Sequence, residues 1–262
     1  MDTAEFDKMF EVEETNWWYR GRRHLVEKWV KRRHQELGRP LQILDVACAT
    51  GMSFRFLSQY GSIRGIDISA ETIRLCKTRG IDRIVQCDAM KLPFRDQSFD
   101  VILALDALEH FPDDRLAIRE LRRVARPDAR ILVTVPAFMF LWSPHDVAFH
   151  HFRRYTRREL GAKLREGGLK LDKLSYYSMT VLPPVWAMRK FRGAARGAKP
   201  ATSDFFLSLP RPLEALLHGI MRAEIGLMDT VTLPFGVSLF CAAKPEAVSS
   251  MNGSSGENSA RR

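Results

Sequence analysis

The chain has 262 residues, 45% of them hydrophobic, with 41 Lys and Arg against 31 Asp and Glu and a formal net charge of +10. That suffices for one large domain with an insertion or for two small ones, and the charge favours anionic partners such as nucleic acid, acidic lipid or phosphorylated substrates. The four scattered cysteines form no CxxC pair, the acidic start MDTAEFDKMFEVEE does not read as a signal peptide, and no run of roughly 18 apolar residues is present; a disulfide framework, a zinc ribbon and a membrane span are therefore not expected.

In chain order, residues 1–20 read as irregular, and RGRRHLVEKWVKRRHQELG as an amphipathic helix stopped by Gly38. Strands LQILDVA, IRGIDIS, RIVQCDA, FDVILALDAL and ARILVTVPA then alternate with helices SFRFLSQYG, AETIRLCKTRG and DDRLAIRELRRVA. TRRELGAKLREGG reads as a helix, with Thr156 as N-cap and Glu159 completing a capping box. LKLDKLSYY and GVSLFCAAK are the last strands. Such alternation predicts an α/β fold: a doubly wound, mostly parallel seven-stranded Rossmann-like sheet, helices on both faces and a helical insertion before the last strand. The expected units are a cap or lid at 1–38, a core at 39–177, an insertion at 178–236, the last strand at 237–245 and a disordered tail at 246–262.

Ligands of doubly wound sheets sit beyond the carboxyl ends of the strands. Four strands place an acid there: Asp45, Asp67, Asp88 and Asp106. The first runs into the turn ILDVACATG, in which Gly51 follows Ala49 by two residues, so a dinucleotide fingerprint does not fit, and Asp45 would repel a pyrophosphate. No Lys-Ser/Thr pair follows, which also excludes a phosphate-cradling P-loop. A ligand with cationic groups and a ribose fits better. S-adenosylmethionine is such a ligand, and Asp67, roughly twenty residues past the turn, is placed to accept both ribose hydroxyls.

Ile43 to Ala137 resembles a class I S-adenosylmethionine-dependent methyltransferase, and is similar to the small-molecule branch that includes ubiquinone and menaquinone methyltransferases. The resemblance rests on LDVACATG, GIDIS and CDAMKLPFRDQSFDVILALDALEH. It implies that Asp67 and Ile68 hold the ribose, that Asp88 and Ala89 flank the adenine, and that Asp45, Ala47, Ala49 and the backbone near Leu105 face the methionine portion, with Gly51 at the start of the following helix. Alanines stand where the family carries glycine; in a left-handed conformation each would cost about 1–2 kcal/mol, in an ordinary one little.

Two further stretches resemble a subset of the family marked by WWxRGRR and HDxxxxHxRRY. In NWWYRGRR, either the aromatics pack a cap helix on the sheet, or Trp17, Trp18 and Tyr19 form a lid while Arg20 or Arg23 meets the methionine carboxylate. In LWSPHDVAFHHFRRYT, either Arg and Asp form a surface ion-pair network, or His145 or His151 is a general base oriented by Asp146, with Tyr155 beside it and the arginines binding an anionic group. Glu109 and His110 after the fourth strand could also face the acceptor or be structural. Methyl transfer requires no metal, and none is expected.

The insertion carries Leu213, Leu216, Leu217, Ile220, Met221 and Met228 at helical spacing and the cations Arg189, Lys190, Arg192, Arg196 and Lys199. It reads either as a helix packed on the sheet or as a cap for an apolar acceptor that leans on an anionic membrane. The function expected is methyl transfer to an O, N or C nucleophile of a small-molecule or lipid-like acceptor by a cytoplasmic protein, peripheral to the membrane if the second reading holds. The alternatives are an RNA methyltransferase, for which no RNA-binding module or Asn/Asp-Pro-Pro-aromatic signature is present, so that nucleic acid is not the expected partner, and a non-catalytic scaffold that binds the cofactor or a partner.

Overall fold

A computed structural model describes residues 3–194 and 209–247. Five strands, β1 (Leu41–Val46), β2 (Gly61–Asp67), β3 (Ile84–Gln86), β4 (Phe99–Leu105) and β5 (Ala125–Pro136), run parallel. β6 (Leu169–Tyr177) and β7 (Ser238–Pro245) complete the sheet, in the order β3-β2-β1-β4-β5-β7-β6, with β7 antiparallel to both of its neighbours. The apolar runs of β1, β4 and β5 are buried because helices cover both faces, as parallel sheets require. The strand order reverses between β1 and β4, which opens the crevice at their carboxyl ends. No helix among the described residues is long and apolar enough to cross a membrane.

Helix ends follow local chemistry. Asn16 accepts from the Trp18 amide and starts α2 (Trp17–Leu37), which Gly38 ends in the left-handed conformation. Ser69 caps α4 (Ala70–Thr78), Asp113 caps α5 (Asp114–Val124), and the Thr156–Glu159 capping box starts α7 (Arg157–Glu166). Short helices α3 (Met52–Leu57) and α6 (Pro144–Ala148) follow β1 and β5.

The first twenty residues are not irregular. Thr3–Val12 is a helix, α1, whose Phe6 and Met9 are buried at helical spacing, and α2 already begins at Trp17. ARPDA, ahead of the expected strand ARILVTVPA, is the beginning of β5, where the register with β4 shifts. The insertion contains α8 (Leu182–Ala194) and α9 (Arg211–Leu227). α9 packs chiefly along α2: Met221 fills the space beside Gly21, where a Cβ would meet its sulfur at 2.1 Å, and Lys28 reaches the Ile225 carbonyl at 3.3 Å. Met221, Ile225 and Met228 are buried while Leu213 and Leu216 are exposed, so the apolar face is narrower than the spacing suggests. Arg196, Lys199 and nearly all of the expected tail lie outside the described residues.

Asp100 ties the amino ends of the strands together. Its buried carboxylate accepts from Arg39 (2.9 and 2.7 Å), Arg126 (2.6 Å) and the Gln42 amide (2.8 Å). Burial pushes its pKa up, but these hydrogen bonds outweigh burial and bring it down to about 2. Asp100→Asn should therefore lower unfolding stability at neutral pH by roughly 1.5–3 kcal/mol. A depressed pKa stabilises above the unfolded value of about 4 and loses that contribution as pH falls through the folded one. Denaturant titrations should show the gap between wild type and variant narrowing from about pH 4 towards pH 2.

Candidate cofactor and acceptor site

The turn after β1 is held by the end of β2. Asp67 accepts from the Ala49 amide through one carboxylate oxygen (3.1 Å) and from the Ser69 amide through the other (2.9 Å). Burial raises its pKa, and these amides oppose that rise. The turn is left-handed at Ala47 (φ 56°), Ala49 (φ 47°) and Gly51 (φ 71°). Both alanines thus adopt the costly conformation, about 1–2 kcal/mol each. Gly51 is needed twice over: besides its φ, a Cβ would meet Ile81 at 2.7 Å and the Cys76 sulfur at 2.9 Å.

Beneath the turn lies a cavity of about 60 Å³. It brings together Asp45, Ala47, Ala49 and Leu105, the residues expected around the methionine portion, with Arg23. Its walls also include Tyr19, one of the three expected lid aromatics, and Met9, Glu13 and Arg22, which the sequence reading missed, and exclude Trp17, Trp18 and Arg20. Trp18 is buried and stacks on Tyr177 (5.8 Å, 25°). The face of α2 that meets the cavity is Tyr19, Arg22, Arg23 and Val26, a set spaced by three and four residues. Helical spacing from Tyr19 was the signal that could have selected Arg22. Glu13 could not be found without α1; its carboxylate accepts from Thr50 (2.6 Å) and pairs with Arg79 (2.7 Å).

The cavity presents both charges. Arg22 donates to Asp106, and Arg23 donates to the carbonyls of Glu13 and Glu14. Burial pushes Asp45 up to about 7, against the hydrogen bond from Ser53 and the charge of Arg22. Acids and guanidinium groups within one small space suit a zwitterion with an ammonium and a carboxylate. Asp67, Ile68, Asp88 and Ala89 lie outside the cavity walls, at the adjoining ends of β2 and β3. The Asp67 carbonyl accepts from the Cys87 amide (3.0 Å), Asp88 accepts from the Met90 amide (2.8 Å), and the Ile68 side chain is 69% exposed.

The loop after β5 is organised by Asp146, which is completely buried. It accepts from His151 Nδ1 (2.9 Å), from Arg154 Nε and Nη2 (2.7 and 2.9 Å) and from the Ser143 amide (2.8 Å). Burial raises its pKa, but His151 and Arg154 hold it far below the usual carboxylate range. Asp146 thus reaches His151, whereas His145 is buried with its ring 4.2 Å from that of Phe149, and burial pushes its pKa well down. Tyr155 faces away from this group: its buried hydroxyl donates to Asp114 (2.8 Å), and burial raises its pKa far above the usual phenol range. The structure therefore joins Asp146 to His151 and places the Tyr155 hydroxyl in a separate network with Lys163 and Arg153.

Residues 44–133 match the family model described as a methyltransferase domain. The matched span runs from β1 into β5 and contains the left-handed turn and Asp67. Among curated relatives, the phthiotriol/phenolphthiotriol dimycocerosates methyltransferase 1 of Mycobacterium ulcerans is 31% identical over 150 residues, 54% of each chain. The norajmaline N-methyltransferase of Rauvolfia serpentina is 34% identical over 104 residues, 36% of each. The chain thus spans about half or less of the length of these relatives. A SAM-dependent methyltransferase from Thermotoga maritima superposes with a TM-score of 0.55 at 14% identity, over 93% of this chain and 96% of that one. The YcgJ protein from Bacillus subtilis gives 0.50 at 21%, over 79% and 93%. These structures share the Rossmann-like fold of the matched methyltransferase domain, and the Thermotoga maritima protein is described as SAM-dependent.

The turn itself yields a prediction. Glycine relieves the left-handed strain but adds freedom to the unfolded chain, so Ala49→Gly should leave a net gain of roughly 0.5–1 kcal/mol. Thermal or urea unfolding should show a more stable variant. A loss of similar size would mean that the methyl group contributes more by packing than it costs in backbone strain.

Proposed function

We propose that the protein transfers the methyl group of S-adenosylmethionine to an O, N or C nucleophile of a small-molecule or lipid-like acceptor. The observation that carries this reading is the placement of two polar centres around one crevice: the Asp67-clamped turn at the β1/β4 reversal, and the Asp146–His151 pair in the loop beyond β5. When bound, the cofactor supplies an electrophilic methyl group on a sulfonium.

The chain's own residues bind and align. Asp67 accepts hydrogen bonds from the ribose hydroxyls, with Ile68, Asp88 and Ala89 beside the base. Asp45 meets the ammonium group, and Arg22 or Arg23 the carboxylate. Activation of the acceptor falls to His151, the ring that Asp146 orients; His145 packs behind it. The segment after β5 and helix α8 carry a rim of exposed apolar side chains, among them Met139, Phe140, Val147, Phe152 and Trp186. An apolar acceptor matches that rim, and the names of the mycobacterial and plant relatives agree in kind. Contact with an anionic membrane has less behind it: of the basic cluster, Arg189 donates to the Leu141 carbonyl and Lys190 lies over the Trp186 ring.

Two measurements test this. Loss of a charged acceptor costs roughly 1.5–3 kcal/mol, so Asp67→Ala should weaken S-adenosylmethionine binding tenfold or more by calorimetry, and equal affinities would remove Asp67 from the site. His151→Ala should retain near-normal cofactor affinity and lose about a hundredfold or more in turnover on the true acceptor. That acceptor can be sought as a product about 14 Da heavier in metabolite and lipid extracts, the mass of one CH2 unit added on methylation. Full turnover in His151→Ala would make the loop purely structural.

A further inference from the structure

His151 belongs to a second group of side chains that the reading above does not use. Glu109 stands in the short turn Leu108–His110, three residues beyond Asp106. It is completely buried, and neither of its carboxylate oxygens has a hydrogen-bond partner in another residue. Buried carboxylates are nearly always paired or bound to a cation. Ligand atoms from Glu109, His110 and His151 lie within 4.8 Å of one another, the one such group of three among the described residues.

Both imidazoles are already oriented from behind. Asp146 takes the Nδ1 side of His151 at 2.9 Å, which leaves the Nε2 side for another partner. Arg154 balances the charge of Asp146, its Nε sharing Oδ1 with His151. His110 hydrogen-bonds to the Phe149 backbone, and its ring meets that of His151 edge-on at 4.6 Å. A carboxylate or carbonyl behind each ring is the usual support for metal-binding histidines. The His151 side chain is only 5% exposed and Glu109 is completely buried, so the ligand atoms are largely enclosed.

The geometry points to a site for a divalent first-row transition ion, Zn2+ being its representative, held by Glu109, His110 and His151. Two imidazoles and one carboxylate select such ions over Mg2+ or Ca2+, and three protein ligands leave a position for substrate. This gives a form to the activation assigned to His151. An acceptor hydroxyl in the open position loses its proton to solvent more readily, without any redox change. The role in activation rests on the methyltransferase reading; the ion site does not.

The test uses full-length protein stripped with a chelator and dialysed. Titration with Zn2+ should show one equivalent bound at micromolar affinity or tighter, and Co2+ should give a visible d–d band. Glu109→Gln and His110→Ala should each weaken Zn2+ binding tenfold or more, with circular dichroism confirming the fold, while His218→Ala, on α9, should bind as wild type. The site is overturned if stripped wild type binds no stoichiometric Zn2+, or if Glu109→Gln and His110→Ala both bind as tightly as wild type. Calorimetry of S-adenosylmethionine on the same stripped protein judges the methyltransferase reading separately, since the cofactor residues are not ion ligands.

Discussion

The crevice depends on one carboxylate. Asp67 accepts the Ala49 amide through one oxygen and the Ser69 amide through the other, and so joins the turn after β1 to the turn after β2. A loop with three left-handed residues, two of them alanine, does not hold its shape by local preference. It is held because the neighbouring strand supplies a buried acceptor at its end. With the turn fixed, Asp45 faces the cavity beneath it.

A comparable arrangement governs the loop after β5. Asp146 draws in His151, Arg154 and the Ser143 amide, so that a stretch crowded with histidines and arginines takes one conformation. A buried carboxylate with that many donors is satisfied, and it fixes the imidazole rather than competing for a proton. The contrast with Glu109 is instructive. That carboxylate is equally buried and has no such donors, which is why it is the natural place for a cation.

The amino-terminal helices wall one side of the cavity beneath the turn. Glu13 reaches Thr50 in the turn, and Arg22 reaches Asp106 at the end of β4. α9 in turn packs on α2 through Met221 at Gly21, and Glu224 accepts from the amides of Met179 and Thr180. The insertion before the last strand therefore braces the elements that wall the cavity.

The sequence by itself determined the sheet. Alternating apolar runs and capped helices specify parallel strands, and an acid at four consecutive strand ends places the crevice, because these are local patterns of period and position. It also brought Asp146 and the loop histidines into view. It did not separate His145 from His151, nor Arg20 from Arg23, and it passed over Arg22, since adjacent residue types look alike until the helix phase and the partner are known. Trp18 stood out in sequence and is packed on Tyr177, while the less conspicuous Tyr19 meets the cavity. The left-handed state of Ala47 and Ala49 was decided by the carboxylate of another strand, against local propensity. Glu109 and His110 were visible as neighbours, but only tertiary structure set them beside His151, about forty residues on, because that meeting depends on how the loop after β5 folds back over the end of β4.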